Sequence, residues 1–160
     1  MNYAEIARRF DHQDMPLEAA WAYEIAITDT RSDLALHLDL AALYFTASDT
    51  GYAATHHLSQ EFADVAYDRG MAILADAQRR FGANAEIEFW RLYLREHVLG
   101  ELVPREAYLK LAFTNETRLP YLALYVASAG QEFSSEVAPL RHSVRLGRTA
   151  RERYIKSLAG

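Results

Sequence analysis

Cysteine is absent from the 160 residues. That excludes a disulfide framework, a thiolate zinc site and a cysteine nucleophile, and it suits a reducing compartment. No apolar run approaches the ~20 residues needed to cross a bilayer. The segment 1–14 is interrupted by Glu5, Arg8, Arg9 and Asp11 and holds no signal-peptide apolar region, so a cytoplasmic protein without membrane contact is expected. Strand-like alternation is never sustained. Nucleophile elbows, phosphate-cradling glycine loops and dinucleotide fingerprints are all missing, and no catalytic residue or cofactor is assigned. Prolines number four and glycines seven, most of them where a helix should begin or end.

What is present is helical spacing from end to end. Half of the residues are hydrophobic and a quarter charged, and one domain spanning 1–160 can bury a core of its own. The net charge of −5 is unevenly spread. Between Arg141 and Lys156 six basic residues face the single acid Glu152, a local +5 that leaves about −10 for the remainder. An acidic body with a basic end implies intramolecular pairing or a basic docking surface.

Punctuation along the chain predicts about eight helices. The first covers 3–13, and the second covers 16–28 with proline in its first turn. The third covers 32–47, with Thr30 and Asp33 spaced as a capping box. The stretch 48–58 reads as a turn with a short helix. Ser59 caps a long fourth helix that ends at Phe81 before Gly82. Gly70 inside it calls for a kink or a close helix contact. Asn84 caps a fifth helix ending near Gly100, Pro104 opens a sixth, and Pro120 opens a seventh that stops at Gly130. The last is expected over 135–158, with Pro139 in its first turn.

Ala19, Tyr23 and Ala26 recur on one helix face, and Leu40, Ala41 and Tyr44 follow on the next helix. At these residues the chain resembles the tetratricopeptide repeat, whose paired helices place small residues against aromatics. Arg31 stands where the repeat usually has proline, and His37 where it has a bulky aromatic. Weaker echoes begin at Ala77 and at Leu122, and their spacing drifts from the family's 34 residues. The resemblance implies an all-α fold of antiparallel hairpins stacked as a short array. It also implies a non-enzymatic scaffold that binds a protein or peptide.

The family's peptide-carboxylate clamp uses Lys, Arg and Asn on the inner helices. The matching positions here are apolar: Leu38, Ala42 and Phe45 on one helix, Trp90 and Leu94 on another. An inner groove of that kind would prefer an apolar peptide or an amphipathic helix. Arg141, Arg145 and Arg148, at steps of four and three, would form one stripe of a basic terminal helix, a docking element for an acidic partner or for a second copy in a homodimer. Nucleic acid is the other polyanion such a helix would suit, but the acidic body opposes it. An enzyme with an unrecognised site is the remaining class.

Other clusters have plainer readings. His56, His57 and Glu61 offer at most three metal ligands, and the Ser59 cap separates them, so no metal is assigned. Asp33 and His37 lie one turn apart and, with Asp39, invite an acid–base reading, yet His37 occupies a position that packing usually claims. Glu86 and Glu88 suit the first turn of a helix. Phe89, Trp90, Tyr93, Tyr121 and Tyr125 form an aromatic stripe of the kind that builds cores. Phe89 and Trp90 are adjacent and diverge by about 100°, so one of them is expected to cover a second surface.

Overall fold

The computed structural model describes residues 1–113, 121 and 133–160. Among them every regular element is helical: α1 (Tyr3–His12), α2 (Pro16–Thr28), α3 (Leu34–Ala47), α4 (Thr50–Thr55), α5 (Gln60–Phe81), α6 (Ala85–Leu99), α7 (Arg105–Phe113), a 3₁₀ turn (Ser134–Glu136), α8 (Val137–Ser143) and α9 (Ala150–Ala159). The expected helix from Pro120 to Gly130, with Leu122 and Tyr125, lies outside the described residues apart from Tyr121.

Local chemistry sets most boundaries. Ser59 Oγ accepts the Phe62 N–H at 3.1 Å, and Asn84 Oδ1 accepts those of Glu86 and Ile87 at 2.9 and 3.3 Å. Both satisfy donors that a helix start leaves orphaned. Gly82 ends α5 at φ +80°, a backbone that a side chain would disfavour. Asp33 is itself the N-cap of α3, accepting from Leu36 N–H at 3.0 Å, so the Thr30–Asp33 box does not form and the helix begins at Leu34.

Helix α3 is apolar almost all round and runs through the middle of the molecule, as such a helix must. On one side it packs with α1, α2 and the first half of α5, around Ala19, Tyr23, Leu40, Leu43, Tyr44 and Ala66. On the other it meets the rest of α5, α6, α7 and the C-terminal segment, around Leu38, Ala41, Leu74, Phe89, Trp90, Tyr93 and Ile155. Ala41 thus faces away from Ala19 and Tyr23, unlike Leu40 and Tyr44. Gly70 supplies the close contact between α5 and α3: a Cβ there would stand 3.4 Å from the Ala41 carbonyl oxygen and 3.5 Å from Tyr44 Cβ.

Two expectations are corrected. Phe89 and Trp90 are both buried, because α6 is enclosed on more than one side, with Tyr108 and Tyr121 on the Phe89 ring and Tyr121 and Tyr154 on Trp90. The single helix over 135–158 is broken. After α8 the chain turns through 144–149, with Gly147 at φ +56°, and α9 starts afresh. Thr149 Oγ1 accepts the Glu152 N–H at 3.2 Å while Glu152 Oε2 accepts the Arg148 N–H at 2.6 Å. This pair is a variant of the capping box, with the Glu152 carboxylate reaching the N–H one residue before the cap, and it fixes where α9 begins.

Candidate functional site

The start of α9 lands on the end of α1 and the middle of α3, and there the molecule gathers its buried charge. Asp11, in the last turn of α1, and Asp39, within α3, are both buried. Asp11 accepts from Tyr23 Oη at 3.0 Å, from Ala150 N–H at 2.8 Å and from Arg153 Nη2 at 2.9 Å. Arg153 also donates to the Asp11 carbonyl at 2.8 Å and to Asp14 at 3.1 Å. Asp39 Oδ1 accepts from Arg151 Nε at 2.8 Å and from Thr149 Oγ1 at 3.2 Å. Arg151 continues to Glu86 and to Tyr121, each at 3.1 Å. Four helices far apart in sequence are joined by two guanidiniums.

Burial dominates the acid chemistry here. It lifts the Asp11 carboxyl from 3.8 to about 6 against the pull of Arg153 and Tyr23. Burial also raises Asp39 and Glu86, opposed in each case by Arg151. Asp14 is the contrast: its partial burial is outweighed by the His56 hydrogen bond and the Arg153 charge, which hold it below the ordinary range. His56 Nε2 sits 2.7 Å from Asp14 Oδ2, and its Nδ1 lies 3.0 Å from the Tyr52 carbonyl oxygen. Asp14 itself and His57, the neighbour of His56, are the two non-glycine residues with positive φ (56° and 53°) among the described residues. Local strain of order 1–3 kcal/mol per such residue is offset by the partners that fix it.

An open cavity of about 550 Å³ adjoins the junction between α1 and the start of α9. Arg8, Arg9, His12, Asp39, Arg148 and Glu152 line it, with Ala35, Thr149 and Arg151. A second exposed feature lies on the outer face of α2, where Trp21 is 54% and Leu17 45% exposed. With Phe10 and Glu18 they wall a shallow depression of about 280 Å³.

The sequence candidates distribute differently from expectation. Leu38, Ala42, Trp90 and Leu94 are buried and Phe45 is half-buried, so these five do not form an open groove. The C-terminal helix covers that side: the Tyr154 ring meets Phe45 edge-on at 4.9 Å, and Ile155 joins the Leu38–Trp90 cluster. Arg141, Arg145 and Arg148 share no helix face, because the chain turns between them. Arg141 Nε donates to the Ala159 carbonyl, Arg145 donates to His142, and Arg148 lines the cavity. His37 is buried and its Nε2 lies 3.4 Å from Asp76, while Asp33 offers it only a backbone carbonyl at 3.2 Å. His56, His57 and Glu61 stand on either side of the Ser59 cap, and His56 is engaged by Asp14.

Sequence reasoning missed Asp11, Arg151 and Arg153 as individual partners. The signal for Asp39 was present: it is the one acid in an otherwise apolar helix, and a buried carboxylate demands a cation. No family model matches the chain, and neither does any curated protein or solved structure.

Proposed function

We propose that the chain is a non-enzymatic scaffold of tetratricopeptide-like type, and that its partner is a protein segment with an apolar, helix-like face received on the outer side of α2. The observation that carries this reading is Trp21, half exposed beside Leu17 and braced edge-on by Tyr3 at 5.7 Å. A large aromatic fixed by its neighbours loses little entropy when covered, and tryptophan is among the residues that dominate interface energies. The packing of small residues and tyrosines between α2 and α3 agrees with the hairpin construction of such scaffolds, in which α2 presents its far side to solvent. The Arg141, Arg145 and Arg148 stripe gives no comparable support, since its members diverge.

The test uses the chain as bait, with W21D and L17D as controls. A partner retained by the parent and lost from both variants, with far-UV circular dichroism and melting unchanged, supports the reading. Light scattering on the same three proteins identifies self-association: a mass that doubles for the parent alone makes a second copy the partner. Trp21 is the exposed member of the two tryptophans, so its emission should shift to the blue when the partner binds. Equal capture by all three baits, with no monomer–dimer difference, overturns the assignment of this surface.

A further inference from the structure

We infer that the cavity between α1 and the start of α9 binds a small organic phosphate, its phosphate held by Arg8, Arg9 and Arg148 and a hydroxyl or amino donor of the same ligand received by Asp39. The inference is independent of the α2 surface. At about 550 Å³ the cavity has the size of a small-molecule site. On an acidic molecule its wall is anomalous, with four arginines and His12 against two carboxylates.

The arginines are not equally engaged. Arg151 is consumed by Asp39 and Glu86. Arg8 has only a loose approach to Asp33 at 3.7 Å, with both side chains about half exposed or more. Among the described residues Arg9 meets only the Phe10 ring, and the Arg148 side chain meets no carboxylate within ion-pair distance. Three guanidiniums from two separate segments therefore border one cavity, Arg9 and Arg148 without a carboxylate partner among the described residues and Arg8 with only the 3.7 Å approach to Asp33. Guanidinium forks match phosphate oxygens in pairs, and a dianion can satisfy more than one fork where a carboxylate cannot.

Asp39 supplies the second, independent observation. It is 3% exposed and lies on the cavity wall. Both of its recorded hydrogen bonds fall on Oδ1, so among the described residues Oδ2 receives none. Among the described residues the closed-off side-chain atom without a partner is Trp90 Nε1, so Asp39 Oδ2 is not sealed off. An acceptor at the wall of an open cavity takes its hydrogen from water, or from a ligand donor that displaces that water. A ligand carrying only negative charge would repel this carboxylate, whereas a sugar phosphate or nucleotide brings both the anion and the donor. Two first-turn N–H groups of α9 are already taken, that of Ala150 by Asp11 and that of Glu152 by Thr149, so the side chains are the binding element.

Isothermal titration of the full chain with ribose 5-phosphate, AMP, ribose and inorganic phosphate tests this at two salt concentrations. One saturable site for ribose 5-phosphate or AMP is expected, weakened by salt and at least several-fold tighter than for inorganic phosphate or ribose. The double variant R9A/R148A, both positions exposed, should melt like the parent and bind about tenfold or more weakly. D39N should erase the preference for the organic phosphate over inorganic phosphate. No saturable binding of either organic phosphate overturns the inference, as does unchanged affinity in R9A/R148A. Parity between inorganic phosphate and ribose 5-phosphate overturns it too. So does a short RNA that binds where AMP does not, because the site would then serve a polymer.

Discussion

Replacing Arg153 with methionine isolates the buried charge at the joint between the two chain ends. Asp11 is fully buried, and Arg153 meets both its carboxylate and its backbone carbonyl, at 2.9 and 2.8 Å. R153M leaves the carboxylate with Tyr23 and Ala150 as donors and no cation. Stranding one member of a buried pair costs about 3–5 kcal/mol. Arg153 retains 29% exposure, which places the expectation near the lower end, about 3 kcal/mol at pH 7.5. The pH dependence gives the sharper test. The Asp11 carboxyl lies at about 6 in the folded protein against 3.8 ordinarily, so the fold binds this proton more tightly than the unfolded chain does. Its contribution to stability is complete below 3.8 and is lost as pH rises through 6, by about 3 kcal/mol in all. Removing Arg153 raises the carboxyl further, so at pH 5 Asp11 is protonated in the variant and largely so in the parent. The cost of R153M should then shrink to that of lost hydrogen bonds, about 1–2 kcal/mol. Asp14 also loses its Arg153 contact in this variant, a cost present at both pH values, while its His56 partner still favours the ionised form. Urea unfolding followed by circular dichroism at pH 7.5 and 5 measures both numbers. A cost below about 1 kcal/mol at pH 7.5, or the same cost at both, would refute the buried-charge account.

Gly70 sits where a methyl group has room and a larger group has none. G70A should stabilise by about 0.5–1 kcal/mol through helix propensity, whereas G70L should destabilise by about 1–3 kcal/mol or more, both read as urea midpoints. Removing the α6 cap with N84A should cost about 1 kcal/mol, and substituting aspartate for the same asparagine should recover most of it in thermal melts.

The helices were legible wherever their ends carry their own chemistry. Pro16, Ser59, Gly82 and Asn84 each act on the adjacent backbone, so reading neighbours in sequence is enough. The C-terminal break was legible as well, for Thr149 and Glu152 spell a capping box just after Gly147. Arginine spacing at 141, 145 and 148 pointed the other way, and it lost because glycine and a cap bind the backbone directly whereas a row of exposed charges supplies little helix stability. Phe89 and Trp90 illustrate a different limit. Adjacent side chains on a helix point apart, and whether both are buried depends on how many elements surround that helix, which local spacing does not encode.

The candidate site was legible by type and not by partner. An acidic body and a basic terminus called for intramolecular pairing, and Asp39 in an apolar helix called for a cation, but the link from Asp11 to Arg153 spans almost the whole chain. That link also changes what the architecture can do. In an open helical array each unit touches only its neighbours, and the concave side stays free for a ligand. Here α9 lies against α3, and its residues Tyr154 and Ile155 pack on the side where Leu38, Phe45 and Trp90 would have lined a groove. The C-terminal helix thus fills the position a bound peptide would take, held by ion pairs that reach from Arg151 to Asp39 and from Arg153 to Asp11. Two of the surfaces this closure leaves open are the Trp21 face of α2 and the cationic cavity, which the closure itself creates by bringing Arg148 beside Arg8 and Arg9.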